Sequence, residues 1–277
     1  MPIDLKAKAY TARFFPENGM NFVSLKKGEI EAIDQSTKPL FEERSAGLGA
    51  MIGPHFHRRK IFPPLSDPKL FPRVTKSGDP LSHGIGRYAP WNVLFSDKDQ
   101  IKAELNGSDI WNGIALKDIE GQDFKMTYTA KLNEEGLHIE LSVVSDTESV
   151  VGLHTYYALA NGIGRIRANV KDTYNDGGIF KQIPSTWNYL DGHLIYDLNQ
   201  ETDFGFLPYP DTMQGDIHME TASHQVRVRY WSDNEENSWQ LWHPTGFSFV
   251  CIEPVSAKNP RGCRLSVSRI KILISIL

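Results

Sequence analysis

Apolar residues recur at every second position over much of this chain. Phe124, Met126, Tyr128, Ala130 and Leu132 alternate with Lys125, Thr127, Thr129 and Lys131. That is the pattern of a strand with one face in a core and the other in water. After Asn133 to Gly136 the same period resumes at Leu137, Ile139, Leu141 and Val143, which predicts a hairpin closed by a loop of about four residues. Val226, Val228 and Tyr230 alternate in the same way with Gln225, Arg227 and Arg229. Further strands are predicted over 21–25, 101–105, 246–253 and 265–274. No long stretch places apolar residues at i, i+3, i+4 and i+7, so little helix is expected. The pattern predicts an all-β chain, a large antiparallel sandwich with functional loops at its edges.

Composition narrows this. At 277 residues the length alone suggests roughly two domains, yet all-β units often run to roughly 250 residues as one. The 22 glycines and 16 prolines are spread along the chain, and no composition shift or repeat marks a boundary. One domain over 1–277 is therefore expected. Lys and Arg number 30 against 34 Asp and Glu, a net charge of −4, which argues against a nucleic-acid partner held by phosphate attraction. Two cysteines, Cys251 and Cys263, do not make a disulfide framework and cannot alone build a thiolate zinc site. Residues Met1 to Phe15 carry Asp4, Lys6, Lys8 and Arg13 without an apolar run, so a secretory signal is not expected. The most apolar segment, Ile270 to Leu277, is far shorter than the roughly 20 residues that cross a bilayer. A soluble cytoplasmic protein without a membrane partner is the expectation.

Several residues carry candidate chemistry. His83 lies in Ser82-His83-Gly84-Ile85-Gly86-Arg87, where two glycines imply close backbone approach by a ligand or by another segment; an ordinary turn with a surface His reads the same. His154 and Tyr156 share a face if Gly152 to Tyr157 is a strand, and a His beside aromatics can act as acid or base near neutrality. A hydrogen-bonded core His competes with that reading. Glu253 ends the apolar run Phe247 to Ile252 on the face of Phe247, Phe249 and Cys251, with Pro254 expected to stop the ladder. A carboxylate there is costly unless paired or functional, or it turns to water at the strand end. Asp203 sits in a polar loop after Glu201-Thr202. The pair His55-x-His57 is a weak metal signal without a third ligand, and the adjacent Arg58-Arg59-Lys60 suits an anion, or is simply a solvated basic loop. Six tryptophans, Trp91 among them, offer apolar yet electron-rich faces for sugar C–H groups, though most belong in a core.

In this order, the segments resemble the aldose 1-epimerase (galactose mutarotase-like) superfamily, closest to its branch acting on hexose 6-phosphates. His83-Gly84-Ile85-Gly86-Arg87, with Trp91 soon after, is similar to that family's His-Gly-Phe-Ala-Arg segment. His154-Thr155-Tyr156-Tyr157 is similar to His-x-Tyr-Phe, Glu201-Thr202-Asp203 to Glu-Thr-Asp, Trp242-His243-Pro244 to Trp-Asn-Pro, and Cys251-Ile252-Glu253-Pro254 to Cys-(Val/Ile)-Glu-Pro. The departures are Ile85-Gly86, Tyr157 and His243, together with the basic loop at 53–60. The resemblance, spanning roughly residues 17 to 275, implies a β-supersandwich and interconversion of α and β anomers through the open-chain aldehyde. It implies Glu253 as general base and His154 as general acid. His83 and Asp203 would bind sugar hydroxyls and Arg87 would brace the site or the substrate, with no metal or organic cofactor required; on their own chemistry Trp91, Arg58 and Arg59 are further candidates for substrate binding. A non-catalytic carbohydrate-binding protein on the same fold is the alternative, and a glycan lyase or hydrolase a third class. Two geometric expectations follow. Glu253 and His154 should face each other across a sugar-ring-sized gap, and at least one of Arg58, Arg59 and Lys60 should join Arg87 to clamp a phosphate.

Overall fold

The computed structural model describes residues 1–57, 69–75 and 81–277. Its described strands pair antiparallel throughout, as the period of two predicts. The expected hairpin forms between Phe124–Leu132 and Leu137–Ser145, in register from Phe124 opposite Ser145 to Leu132 opposite Leu137. Three other predicted strands are present with longer bounds, Asn21–Lys27, Gln100–Asn106 and Gln225–Ser232, and the one predicted over 265–274 is shifted by two residues to Val267–Ile276. One expectation is corrected. Pro254 does not stop its ladder, because Phe249–Val255 carries Pro254 opposite Trp239 and Val255 opposite Ser238. A proline removes a ladder bond only on the side its nitrogen faces.

The strands form two layers. One runs through Tyr10–Phe15, Asn21–Lys27, Gly49–Ile52, Gly152–Ala158, Phe249–Val255, Ser238–His243 and Thr202–Pro208. The other runs through Gln100–Asn106, the hairpin, Val267–Ile276, Gln225–Ser232 and Gln214–Glu220. The long strand Arg165–Asp176 belongs to both: its first residues pair with Gln214–Glu220 and its later ones with Thr202–Pro208, across a bulge between Val170 and Tyr174. Between the layers lies one large core, with Phe14 of the first layer edge-on to Tyr128 of the second at 6.3 Å. Helix is confined to short pieces such as Lys38–Arg44 and Leu116–Glu120. Among the described residues no helix is long and apolar enough to cross a membrane.

Candidate active site

The strand ladder places the central residues. In the first layer Trp239, Leu241, Val250, Ile252, Leu153 and Tyr157 point into the core, so their alternates point to the opposite, outer face. Two neighbouring rows cross that face. In one, Asp203 pairs with Trp242, Trp242 with Cys251, and Cys251 with Tyr156. In the next, Gly205 pairs with Gln240 and Gln240 with Glu253. The register that sets Gly152 opposite Val255 and Thr155 opposite Ile252 brings His154 opposite Glu253. Gly205 has a packing reason to lack a side chain, since a Cβ there would lie 2.4 Å from Gln240 Oε1.

At the centre, His154 Nε2 lies 3.3 Å from Glu253 Oε1, and both side chains are buried. The Tyr156 ring stacks on His154 at 4.9 Å, and Trp242 stands edge-on to both rings. Above them opens a cavity of about 250 Å³, lined also by His57, His83, Arg87, Asp203, Gln240, Arg44 and Arg261. Burial pushes the Glu253 carboxyl up to about 8, with Asp203 raising it further and Arg87 opposing. Burial, reinforced by Arg87, holds His154 well below the ordinary histidine value. The two shifts place a single shared proton on Glu253 over the neutral range. Asp203 stands at the mouth, where partial desolvation raises its carboxyl, Arg261 lowers it, and Asp176 and Glu201 raise it.

A turn positions the second half of the site. Gly84, at φ 83°, and Gly86 press against another segment: a Cβ on Gly84 would lie 2.1 Å from the Gly53 carbonyl oxygen. The close approach inferred from these glycines is thus made by backbone. His83 itself adopts φ 65°, and its backbone is tied on both sides: its N–H donates to the Phe56 carbonyl and its carbonyl accepts from Gly53 N–H. Glu120 staples the same turn, one oxygen accepting from Ile85 N–H at 3.0 Å and the other meeting His55 Nδ1. His55 Nε2 lies 2.8 Å from the Leu81 carbonyl, which can only accept, so that nitrogen carries a proton. The His83 imidazole is left neutral, held well down by burial and then by His154, Arg87, His57 and His55. Its Nδ1 is buried and has no hydrogen-bond partner among the described residues, while the residue itself lines the cavity.

Five expected residues, His83, Arg87, His154, Asp203 and Glu253, converge on this one cavity. Arg87 is a brace, its Nε and Nη2 both donating to the Ser45 carbonyl at 2.9 and 2.7 Å. Three expectations are corrected. Trp91 does not line the cavity; it is buried, and its Nε1 donates to the Gly86 carbonyl at 2.8 Å, which secures the turn from behind. Glu253 and His154 do not face each other across a ring-sized gap, because cross-strand neighbours are only about 4.5–5.5 Å apart at Cβ. Asp203 lies on the strand Thr202–Pro208 and not in a loop. Arg58, Arg59 and Lys60 lie outside the described residues. The residues that sequence reasoning missed are His57, Gln240, Arg44 and Arg261. His57 was visible in His55-x-His57 but read there for metal; His55 instead joins the Glu120 staple, and His57 reaches the cavity. Gln240 had a signal in its alternation with Trp239 and Leu241, whereas Arg44 and Arg261 had none.

No family model matches the sequence, and no curated protein matches it. Solved structures do. A galactose mutarotase-like protein from Clostridium acetobutylicum superposes with a TM-score of 0.70 at 16% identity, over 100% of this chain and 95% of that one. An aldose epimerase homologue from C. elegans gives 0.70 at 15%, over 99% and 98%. A galactose mutarotase-like protein from Lactobacillus casei gives 0.70 at 12%, over 100% of both chains. The chain therefore has the galactose mutarotase-like fold, a large antiparallel β-supersandwich. At these identities the likeness is one of fold, and chemistry has to be argued from the cavity.

Proposed function

We propose that this protein is a carbohydrate mutarotase that interconverts the α and β anomers of an aldohexose through its open-chain form. The observation that carries the reading is the contact of His154 Nε2 with Glu253 Oε1 at 3.3 Å on the floor of a cavity walled by Tyr156 and Trp242. Anomerisation moves one proton off the C1 hydroxyl and one onto the ring oxygen, and both oxygens are bonded to C1. Two adjacent groups suit that task better than two groups on opposite sides of the ring. A pair that shares one proton supplies both an acid and a base. The assignment of Glu253 as base and His154 as acid is reached when the proton crosses their contact; each group contributes on the order of 10²–10⁴-fold. Once the ring opens, rotation about C1–C2 presents the other face of the aldehyde, and the same pair closes it. His83, Asp203 and Gln240 line the cavity and would hold hydroxyls in this reading. At about 250 Å³ the cavity is below the roughly 300–1,000 Å³ usual for larger ligands, a size that favours one sugar ring.

A hexose 6-phosphate is the finer form of the proposal. Arg87 has Nε and Nη2 engaged with Ser45, so the other described cations lining the cavity, Arg44 and Arg261, are the candidates to meet an anion. Anomeric exchange measured by NMR with glucose and glucose 6-phosphate tests both levels. Exchange faster than the buffer rate supports the mutarotase. Sugar binding without exchange leaves the carbohydrate-binding alternative in its place. A preference for the phosphate that fades with added salt supports the anion site, since screening hardly touches a neutral sugar.

A further inference from the structure

The outer face of the sheet carries one donor more than proton transfer needs. Cys251 lies two residues before Glu253 on the same strand and the same face, opposite Tyr156. One ligand atom each from His154, Cys251 and Glu253 lies within 4.8 Å of the other two, and all three residues are buried. Among the described residues this is the one group of three or more His, Cys, Asp or Glu side chains gathered so closely.

We infer that His154, Cys251 and Glu253 form a binding site for a single thiophilic divalent cation of the zinc class. The donor set is one sulfur, one imidazole nitrogen and one carboxylate oxygen, which suits a borderline-soft ion and not magnesium or calcium. Zinc–ligand bonds of about 2.0–2.3 Å set tetrahedral edges of roughly 3.4–3.6 Å. The His154–Glu253 edge already measures 3.3 Å. The edges to sulfur need close by at most about 1.2 Å, which side-chain rotation supplies. Charge also balances: a divalent ion with one thiolate, one carboxylate and a neutral imidazole sums to zero, the composition a buried site tolerates best. Ligation releases the Cys251 thiol proton, and the Glu253 proton where present, to solvent; nothing is oxidised or reduced. His154 and Glu253 line the cavity, while Cys251 lies beneath it against Tyr156, Phe249 and Trp242. Because the ion occupies the lone pairs that proton transfer would use, its binding silences the acid–base pair reversibly. This inference concerns the donor cluster and stands or falls separately from the choice of sugar.

Cobalt(II) is the probe, titrated into the intact, reduced protein. The expected result is one equivalent bound, with tetrahedral visible bands and a near-ultraviolet thiolate-to-cobalt charge-transfer band that zinc abolishes. Cys251→Ser should remove the charge-transfer band and weaken zinc at least about 100-fold, since even supporting residues around a metal are worth about 10–100-fold. Cys263→Ser should change neither, which separates the chain's two thiols. Should Cys251→Ser fail to fold, His154→Asn and Glu253→Gln provide the same test, each weakening cobalt while keeping the thiol. Wild-type protein that shows no thiolate band, or a band that survives in Cys251→Ser, would overturn the site. Because every readout is spectroscopic and turnover is measured on metal-free protein, a chain that binds cobalt but whose metal-free form turns over no sugar would sink the mutarotase proposal and leave this one standing.

Discussion

The two halves of the cavity are built by different means. Glu253, His154, Gln240 and Asp203 project from paired strands, the first three held by the ladder on both sides and Asp203 by its pairing with Trp242. His83 and Arg87 project from a turn whose shape comes from residues distant in sequence, Glu120, His55 and Gly53, and from the nearby Trp91. In the first half a side chain's position follows from its place in the pleat. In the second half it depends on a small hydrogen-bonded network that a single substitution can open. The acid–base pair occupies the stiff half, and residues offered to sugar hydroxyls are shared between the two.

The largest expected effect tests the stiff half. Glu253→Gln keeps the shape and removes the titrating group, so anomeric exchange should slow by at least roughly 10²-fold with sugar affinity little changed. His154→Asn should behave alike, and the double variant should lose little more than either single one, because the pair acts as a unit. Exchange and binding are read separately by NMR and calorimetry. Wild-type rates in both single variants would remove the pair from the reaction.

The next effect tests the turn. Glu120→Gln weakens the staple between His55 and Ile85, and misplacement of His83 by about 1 Å can cost up to about 10²-fold. Weakening this buried hydrogen-bonded contact also costs about 1–3 kcal/mol of stability, visible as a lower melting temperature. The pH profile of the residual activity should keep its wild-type limbs, since the ladder is untouched. A shifted limb would mean that the two halves are electrostatically one.

The pH profile itself follows from the shared proton. With Glu253 raised to about 8 and His154 held well below its usual value, the one-proton pair exists between the two. Activity should therefore fall as pH rises through about 8, where the acid is lost, and fall again only far on the acid side. Stability follows the same sign. The folded Glu253 retains its proton where the unfolded one has lost it, so wild type loses stability as pH climbs from 4.5 towards about 8. Glu253→Gln should escape that loss, its melting temperature gaining on wild type across that range. A gap that is constant with pH would show that Glu253 titrates normally.

The smallest effect concerns Trp91. Trp91→Phe leaves the Gly86 carbonyl without its indole donor and should cost about 1–3 kcal/mol of stability with sugar affinity unchanged. Loss of affinity without loss of stability would put the indole back among the sugar contacts.

The sequence made the ladder half far easier to read than the turn half. Period two placed Glu253 with Cys251 and His154 with Tyr156, because a strand's faces are written into its own residues. It did not place Gln240 beside Glu253, since adjacency between rows depends on which strands pair, and that is settled by the whole sheet. Within the turn, the glycines announced a close approach but not which segment makes it. Glu120 and His55 carry no local pattern that distinguishes a buried staple from a surface pair. Trp91 was misassigned for the same reason: an indole looks identical in a sequence whether it faces a sugar or supports a backbone.

The strand Arg165–Asp176, which passes from one layer into the other at its bulge, has a consequence for how the protein comes apart. Neither layer can lose its edge there without pulling on the other. Amide hydrogen exchange should therefore report slow, matched protection on both sides of Val170, opening only with the molecule as a whole. The loops at the cavity mouth should exchange long before, so the sugar-facing rim can breathe while the floor that carries Glu253 and His154 stays closed.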